Sequence, residues 1–194
     1  VIGIDCFTDY YPRPIKERNL ARLREEPTLQ MHEADLSVVD LESLLDGVEV
    51  VYHQAAQAGV RSSWGKQFSD YTENNVLATQ RLLEAAKNSK IRKIVYASSS
   101  SVYGNTVDLP MRESSLPVPY SPYGVTKLAA EQMCELYRHN FNVPTISLRY
   151  FTVYGPRQRP DMGFNRFIRM VLAGETIPVY GDGEQTRDFT YVAD

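Results

Sequence analysis

Short runs rich in β-branched and aromatic residues recur along the chain: "VIGID", "TLQMHEADL", "VEVVYHQAA", "IRKIVYASS" and "VPTISLRYF". Several are apolar without strict alternation, the pattern of strands buried on both faces of a sheet. Parallel neighbours cannot be joined by a tight hairpin and need a crossover of a dozen or more residues. The intervening segments supply such crossovers. "IKERNLARLREE", "FSDYTENNVLATQRLLEAAKNS" and "YGVTKLAAEQMCELYRHN" have helical spacing, and "SVVDLESLLDG" reads as a serine-capped helix closed by Gly47. Strand and helix therefore take turns, which predicts an α/β fold with a doubly wound parallel sheet.

After Phe151 the pattern changes to loops rich in glycine, proline and arginine, "TVYGPRQRPDMGFN", then a short helix "RFIRMVLAG" and a strand-like "IPVYG". A second region therefore starts near Thr152. Lysine and arginine total 21 against 24 acidic residues, and no basic stripe interleaved with aromatics occurs, so the chemistry points to a small ligand rather than nucleic acid. Cys6 and Cys134 are the only cysteines and have no metal-ligand spacing, which predicts buried thiols, a reducing, cytoplasmic setting and no metal site. Neither a long apolar run nor a signal-peptide pattern is present, so no membrane association is expected.

In an open parallel sheet the ligand lies outside the carboxyl ends of the strands, so the residues there carry the functional argument. Asp5 ends the first run, where a carboxylate accepts hydrogen bonds from both ribose hydroxyls of an adenosine and disfavours a 2′-phosphate; a turn aspartate is the alternative. Asp35, followed by Leu36, is an acceptor for an adenine amino group or again a turn residue. Gln54, Ala55 and Ala56 end the third run, and the small side chains of the two alanines suit either the close approach of a flat cofactor or tight packing. A dinucleotide fold normally has a glycine-rich turn about twenty residues before its ribose-binding acid. Only four residues precede Asp5, so the chain is expected to open at the second strand of a Rossmann-type sheet, without the first strand or the glycine turn.

The spacing of Tyr123 and Lys127 in "PYSPYGVTK" places a phenol and an ammonium on one helical face, some twenty residues after "ASSSSVYG". Alone this is a weak signal. Together with "VIGID", "YHQAAQAGVR", "NNVLATQRLLEAA", "LRYFTVYGP" and "GDGEQTRDFTYV", in that order, it makes the chain resemble the extended short-chain dehydrogenase/reductases that act on nucleotide sugars, the NAD-dependent epimerases and dehydratases. The likeness spans essentially the whole chain. "AGVRSSWG" and "RYFTVYGPRQRPDM" are most similar to UDP-glucuronate 4-epimerases. UDP-glucose 4-epimerases typically carry asparagine at the place of Thr152, 4,6-dehydratases an Asp-Glu pair at Ser100-Ser101, and decarboxylases a proline-containing stretch at Gly59 to Arg61.

The resemblance implies a catalytic Ser99, Tyr123 and Lys127, with NAD as cofactor and a UDP-sugar as substrate. It assigns Asp5, Asp35, Leu36, Gln54, Ala55, Ala56, Lys127 and Tyr150 to the cofactor. Ser100, Ser101, Thr152, Arg159, Val179, Tyr180 and Arg187 fall to the nucleotide sugar, and Asn75 to a buried structural role. Residues 1–151 become a partial NAD-binding domain and residues 152–194 the start of an incomplete sugar-binding region. The helices at 67–88 and 121–141 resemble a dimer-forming pair, which implies a homodimer through four helices. The expected reaction is 4-epimerisation of UDP-glucuronate; a UDP-glucose 4-epimerase, a dehydratase or decarboxylase of the same fold, and an inactive piece are the alternatives.

Overall fold

The structure, a computed structural model, describes residues 1–106, 109–179, 181–184 and 186–194. These form two compact units, one of Val1–Glu33 with Phe151–Asp194 and the other of Ala34–Tyr150. That division follows packing, whereas the boundary at residue 151 follows the change of sequence pattern after Phe151.

In the second unit, β3 (Val50–His53), β4 (Lys93–Ala97) and β5 (Thr145–Leu148) form one sheet in that order, with both pairings parallel. The expected crossovers are present. Between β3 and β4 runs a helical segment made of α3 (Phe68–Tyr71), a π-helical stretch Thr72–Leu77 and α4 (Ala78–Ala86); between β4 and β5 lies α5 (Pro122–Phe141). Ile94 and Tyr96, two apart on β4 and so on one face, are each 1% exposed. They pack in a core with Leu82, Leu83 and Ala86 of α4 and Ala130, Cys134 and Tyr137 of α5. Full burial of such a leucine contributes about 1.5–3 kcal/mol, so this layer supplies much of what holds the site's elements in register.

Local sequence explains the ends of α5. Ser121 accepts the Gly124 N–H at 3.1 Å, Pro122 occupies the first turn, and Asn142 closes the helix with φ 56°. The short α2 (Leu41–Leu44) differs from its expected serine cap: Asp40 is the cap, accepting the Ser43 N–H at 3.2 Å. Ser37 instead donates its backbone N–H to Asp35 in the turn before it.

In the first unit, β1 (Ile2–Asp5) pairs in parallel with β2 (Gln30–Glu33), joined by α1 (Arg13–Leu20) and a 3-10 turn at Leu23–Glu25. Arg13 holds Glu33 with two contacts of 2.7 and 2.6 Å. The sequence reading placed only loops directly after Phe151, but β6 (Thr152–Tyr154) pairs in parallel with β7 (Phe189–Tyr191). The intervening α6 (Gly163–Leu172) contributes Phe164 to an aromatic cluster with Tyr154, Phe189 and Tyr191. "IPVYG" is not a strand in its described residues, 177–179 and 181. All strand pairs among the described residues are parallel, as the alternation predicted.

Candidate active site

The carboxyl end of β4 meets the first turns of α5, and this meeting builds the site. Beyond Ala97 the chain passes through buried Ser98 to Ser99, whose Oγ accepts the Ser101 N–H at 3.1 Å and so caps a 3-10 turn of Ser100–Val102. The Ser100 N–H donates to the Tyr150 carbonyl at 2.8 Å, tying the serine turn to the end of β5. Gly124 lets α5 approach this turn. A Cβ there would lie 2.7 Å from the Ser101 carbonyl oxygen and 3.1 Å from Pro119 Cβ, so any side chain would drive the helix away. The structure thus brings together Ser99, Ser100, Ser101, Tyr123, Lys127 and Tyr150, six of the expected site residues.

Lys127 is 3% exposed and donates to the Ala97 carbonyl at 2.9 Å, with its amine 5.1 Å from the centre of the Tyr96 ring. Burial lowers its pKa to about 8, partly opposed by Cys134. Cys134 itself is buried, and its thiol is pushed up to about 12, chiefly by desolvation, as expected of an inert core cysteine. His53, at the end of β3, is also buried; desolvation and then the Lys127 charge depress its pKa to about 3, so the ring is neutral. Its Nε2 lies 2.8 Å from Thr79 Oγ1, whose hydroxyl donates to the Asn75 carbonyl at 2.7 Å, which makes Nε2–H the donor.

Asn75 lies in the π-helical stretch, where the extra residue per turn changes the direction of a side chain relative to a regular helix. Its Oδ1 accepts the Gln57 N–H at 2.7 Å, and its Nδ2 donates to the Gln57 carbonyl at 3.1 Å and to Thr126 Oγ1 at 3.0 Å. Thr126 in turn donates to the Tyr123 carbonyl at 2.9 Å. Asn75 therefore locks the loop after β3, with Gln54, Ala55 and Ala56, to the turn of α5 that bears the phenol. Tyr71 adds a second brace: its ring meets Tyr123 edge-on at 6.3 Å, and its hydroxyl donates into the pair of carbonyls of Ala58 and Gly59, at 2.9 and 2.7 Å. Sequence reading did not single out Tyr71 or His53; nothing in their local pattern separates them from core residues.

The remaining expected residues have individual fates. Asp35 Oδ1 accepts the Ser37 N–H at 2.7 Å, the turn alternative, and the Leu36 carbonyl accepts from Arg81 at 3.2 Å. In the other unit, Asp5 is exposed at the end of β1 and uses Oδ1 to accept the Phe7 N–H at 2.6 Å. Thr152 opens β6. Arg159 forks onto Asp161 with two contacts of 3.0 Å and lies over the Tyr10 ring, so its charge is already paired within its own loop. Val179 is exposed, and Arg187 donates to the Thr186 carbonyl at 2.6 Å. Tyr180 lies outside the described residues.

A family model described as the NAD dependent epimerase/dehydratase family matches residues 10–194. The chain belongs to this family. A Bacillus subtilis member described as an uncharacterized UDP-glucose epimerase is 48% identical over 194 residues, all of this chain and 61% of its own length. A UDP-glucuronate 4-epimerase of Thermodesulfobacterium geofontis is 35% identical over 197 residues, again covering all of this chain and 61% of the relative. Among solved structures, UDP-glucuronic acid 4-epimerase from Bacillus cereus, in complex with UDP-glucuronic acid and NAD, matches at 49% identity and a TM-score of 0.96, covering 100% of this chain and 61% of that one. The chain therefore spans about three fifths of the length of these family members, and its Rossmann-like α/β fold is theirs.

Proposed function

We propose that the protein interconverts UDP-glucuronate and UDP-galacturonate by epimerisation at C4, with NAD as a retained cofactor. The observation that carries this reading is the meeting of the Ser99 turn with the face of α5 that bears Tyr123 and Lys127, allowed by the missing side chain of Gly124 and tied by the Lys127 bond to the Ala97 carbonyl at 2.9 Å. Residue chemistry within each unit suits the cofactor: in the first, the Asp5 carboxylate can accept from a ribose; in the second, Lys127 offers ammonium protons, and Ala55 and Ala56 present no side chain beyond Cβ. Under this reading residues 1–151 hold the cofactor and residues 152–194 begin the sugar-nucleotide region.

When bound, NAD would supply the hydride acceptor and donor for C4 of the sugar, with Lys127 among the residues that would hold it. The chain's own residues manage the proton. Tyr123 accepts the proton of the 4-hydroxyl, with Ser99 donating to the sugar oxygen as its charge develops. A free phenol has a pKa near ~10, so working near neutrality requires phenolate stabilisation of roughly 3 units, about 4 kcal/mol. Lys127, four residues on along the same face and held away from water, directs a positive charge to that end. Ser100, Ser101, Thr152, Arg159, Val179, Tyr180 and Arg187 are assigned to the UDP-sugar, and Asp35, Leu36, Gln54 and Tyr150 to the cofactor, on the strength of motif resemblance. The exposed side chains Leu77, Val125, Leu136 and Phe141 of the long helices suit a homodimer through those helices.

Similarity to the Bacillus subtilis UDP-glucose epimerase relative supports a second substrate, a neutral UDP-hexose. Incubating the full-length protein with NAD and each UDP-sugar separates the readings. A same-mass product from UDP-glucuronate is expected; loss of water or of carbon dioxide would replace the epimerase by a dehydratase or decarboxylase. Tyr123→Phe is expected to lower turnover by roughly two to four orders of magnitude with little change in KM. Turnover like that of the parent would eliminate the assigned base.

A further inference from the structure

One charged pair beside the site has no part in the chemistry above. Arg149, directly after β5, places Nη2 2.6 Å from Glu131 Oε1 and Nε 3.1 and 3.2 Å from the two carboxylate oxygens. Its Nη1 donates to the Glu113 carbonyl at 3.3 Å, and its guanidinium carbon stands 4.8 Å from the centre of the Tyr103 ring. Ser98 Oγ donates to Glu131 Oε2 at 2.6 Å, occupying the other side of the same carboxylate. The two charged side chains retain only 16% and 12% exposure. The bond to Glu131 is the main reason the Arg149 pKa lies above its ordinary value, and the guanidinium stays charged.

The positions of these groups matter more than their charges. Glu131 is four residues beyond Lys127 and eight beyond Tyr123, on the same face of α5. Ser98 is the neighbour of Ser99. Tyr103 follows the serine turn, and Tyr150, next to Arg149, accepts the Ser100 N–H. One ion pair thus touches every segment that carries Ser99, Tyr123 or Lys127.

We propose that Glu131 and Arg149 are positioning residues that set the Ser99 turn against the Tyr123 and Lys127 face of α5 before substrate arrives. A partly buried ion pair gains little stability over well-packed apolar side chains, because desolvation offsets the attraction. What it does provide is orientation: a planar fork holds a carboxylate at a fixed angle, and a lysine does not. Proton transfer depends steeply on such alignment, since displacement by about 1 Å can cost on the order of a hundredfold in rate.

This inference rests on the proposed proton transfer at Tyr123. Its test uses the full-length protein with NAD and UDP-glucuronate, comparing the parent with Arg149→Lys, which keeps the charge and loses the fork, and with the double variant Glu131→Gln/Arg149→Met, which removes both charges, keeps the volume and leaves an amide oxygen to accept from Ser98. We expect kcat to fall roughly tenfold or more in both while KM stays within about twofold. The double variant is expected to keep a melting temperature close to the parent's, which a merely stabilising ion pair would not allow. Turnover within twofold of the parent in either folded variant overturns the inference. Should the parent itself not turn over UDP-glucuronate, the functional reading fails separately, and crystal structures of the parent and Arg149→Lys decide the matter: an unmoved Ser99 Oγ relative to α5 overturns the positioning role, and a displaced one upholds it.

Discussion

Acid should weaken this fold in part through the buried His53. The ring is 4% exposed, donates from Nε2 to Thr79, and stands 5.6 Å from the Tyr96 ring at the end of β3. Its pKa falls from 6.5 in a solvated chain to about 3 in the folded one. Below pH 6.5 the unfolded chain binds a proton that the folded chain refuses, so the stability present above pH 6.5 is lost progressively as pH falls toward 3. At pH 5 the unfolded state gains a factor of roughly 30 in its partition function and the folded state almost nothing, a loss of about 2 kcal/mol relative to pH 8. Urea unfolding of the full-length protein and of its His53→Gln variant at both pH values isolates this contribution. The variant loses stability at either pH, but its difference between pH 8 and pH 5 should be smaller than the parent's by about 2 kcal/mol, because the other titrating groups cancel. Identical pH dependences within about 0.5 kcal/mol would refute the argument, as would a His53 ring resonance that titrates between pH 8 and 5.

Gly124→Ala pits about 1 kcal/mol of helix propensity against a Cβ 2.7 Å from a carbonyl oxygen, and the clash should win: calorimetry should show a lower melting temperature by several degrees, with reduced kcat, whereas an unchanged or higher value would mean α5 moves freely. Ser99→Ala should slow turnover less than Tyr123→Phe does, as steady-state kinetics on the two variants will show. Thr152→Ala bears on the carboxylate. Oxidised UDP-glucuronate is a β-keto acid that loses carbon dioxide when its carboxylate stands perpendicular to the carbonyl plane, so a lost hydroxyl donor should weaken the preference for this substrate and release a UDP-4-keto-pentose visible by mass; an unchanged preference with no such product removes Thr152 from substrate recognition.

Periodicity and spacing carried a large part of this protein on their own. The buried runs and the helical segments between them dictated parallel strands with crossovers, because both patterns are set by neighbours within one turn or one pleat. Tyr123 and Lys127 could be placed on one face for the same reason, and Ser121, Pro122 and Asn142 fix the ends of their helix by local hydrogen bonding and φ preference. Contacts distant in sequence were settled only by the folded chain. Asn75 sits in a π-helical stretch that looks like ordinary helix in the sequence, and its bond to Thr126 joins residues 51 apart. Glu131 shares the four-residue spacing of Tyr123 and Lys127, a legible hint, but its partner Arg149 is 18 residues away, just past the end of β5. The parallel pairing of Thr152–Tyr154 with Phe189–Tyr191 and the burial that strips His53 of its charge are likewise tertiary. Backbone periodicity is encoded residue by residue, whereas desolvation and the pairing of charges exist only once the core has excluded water.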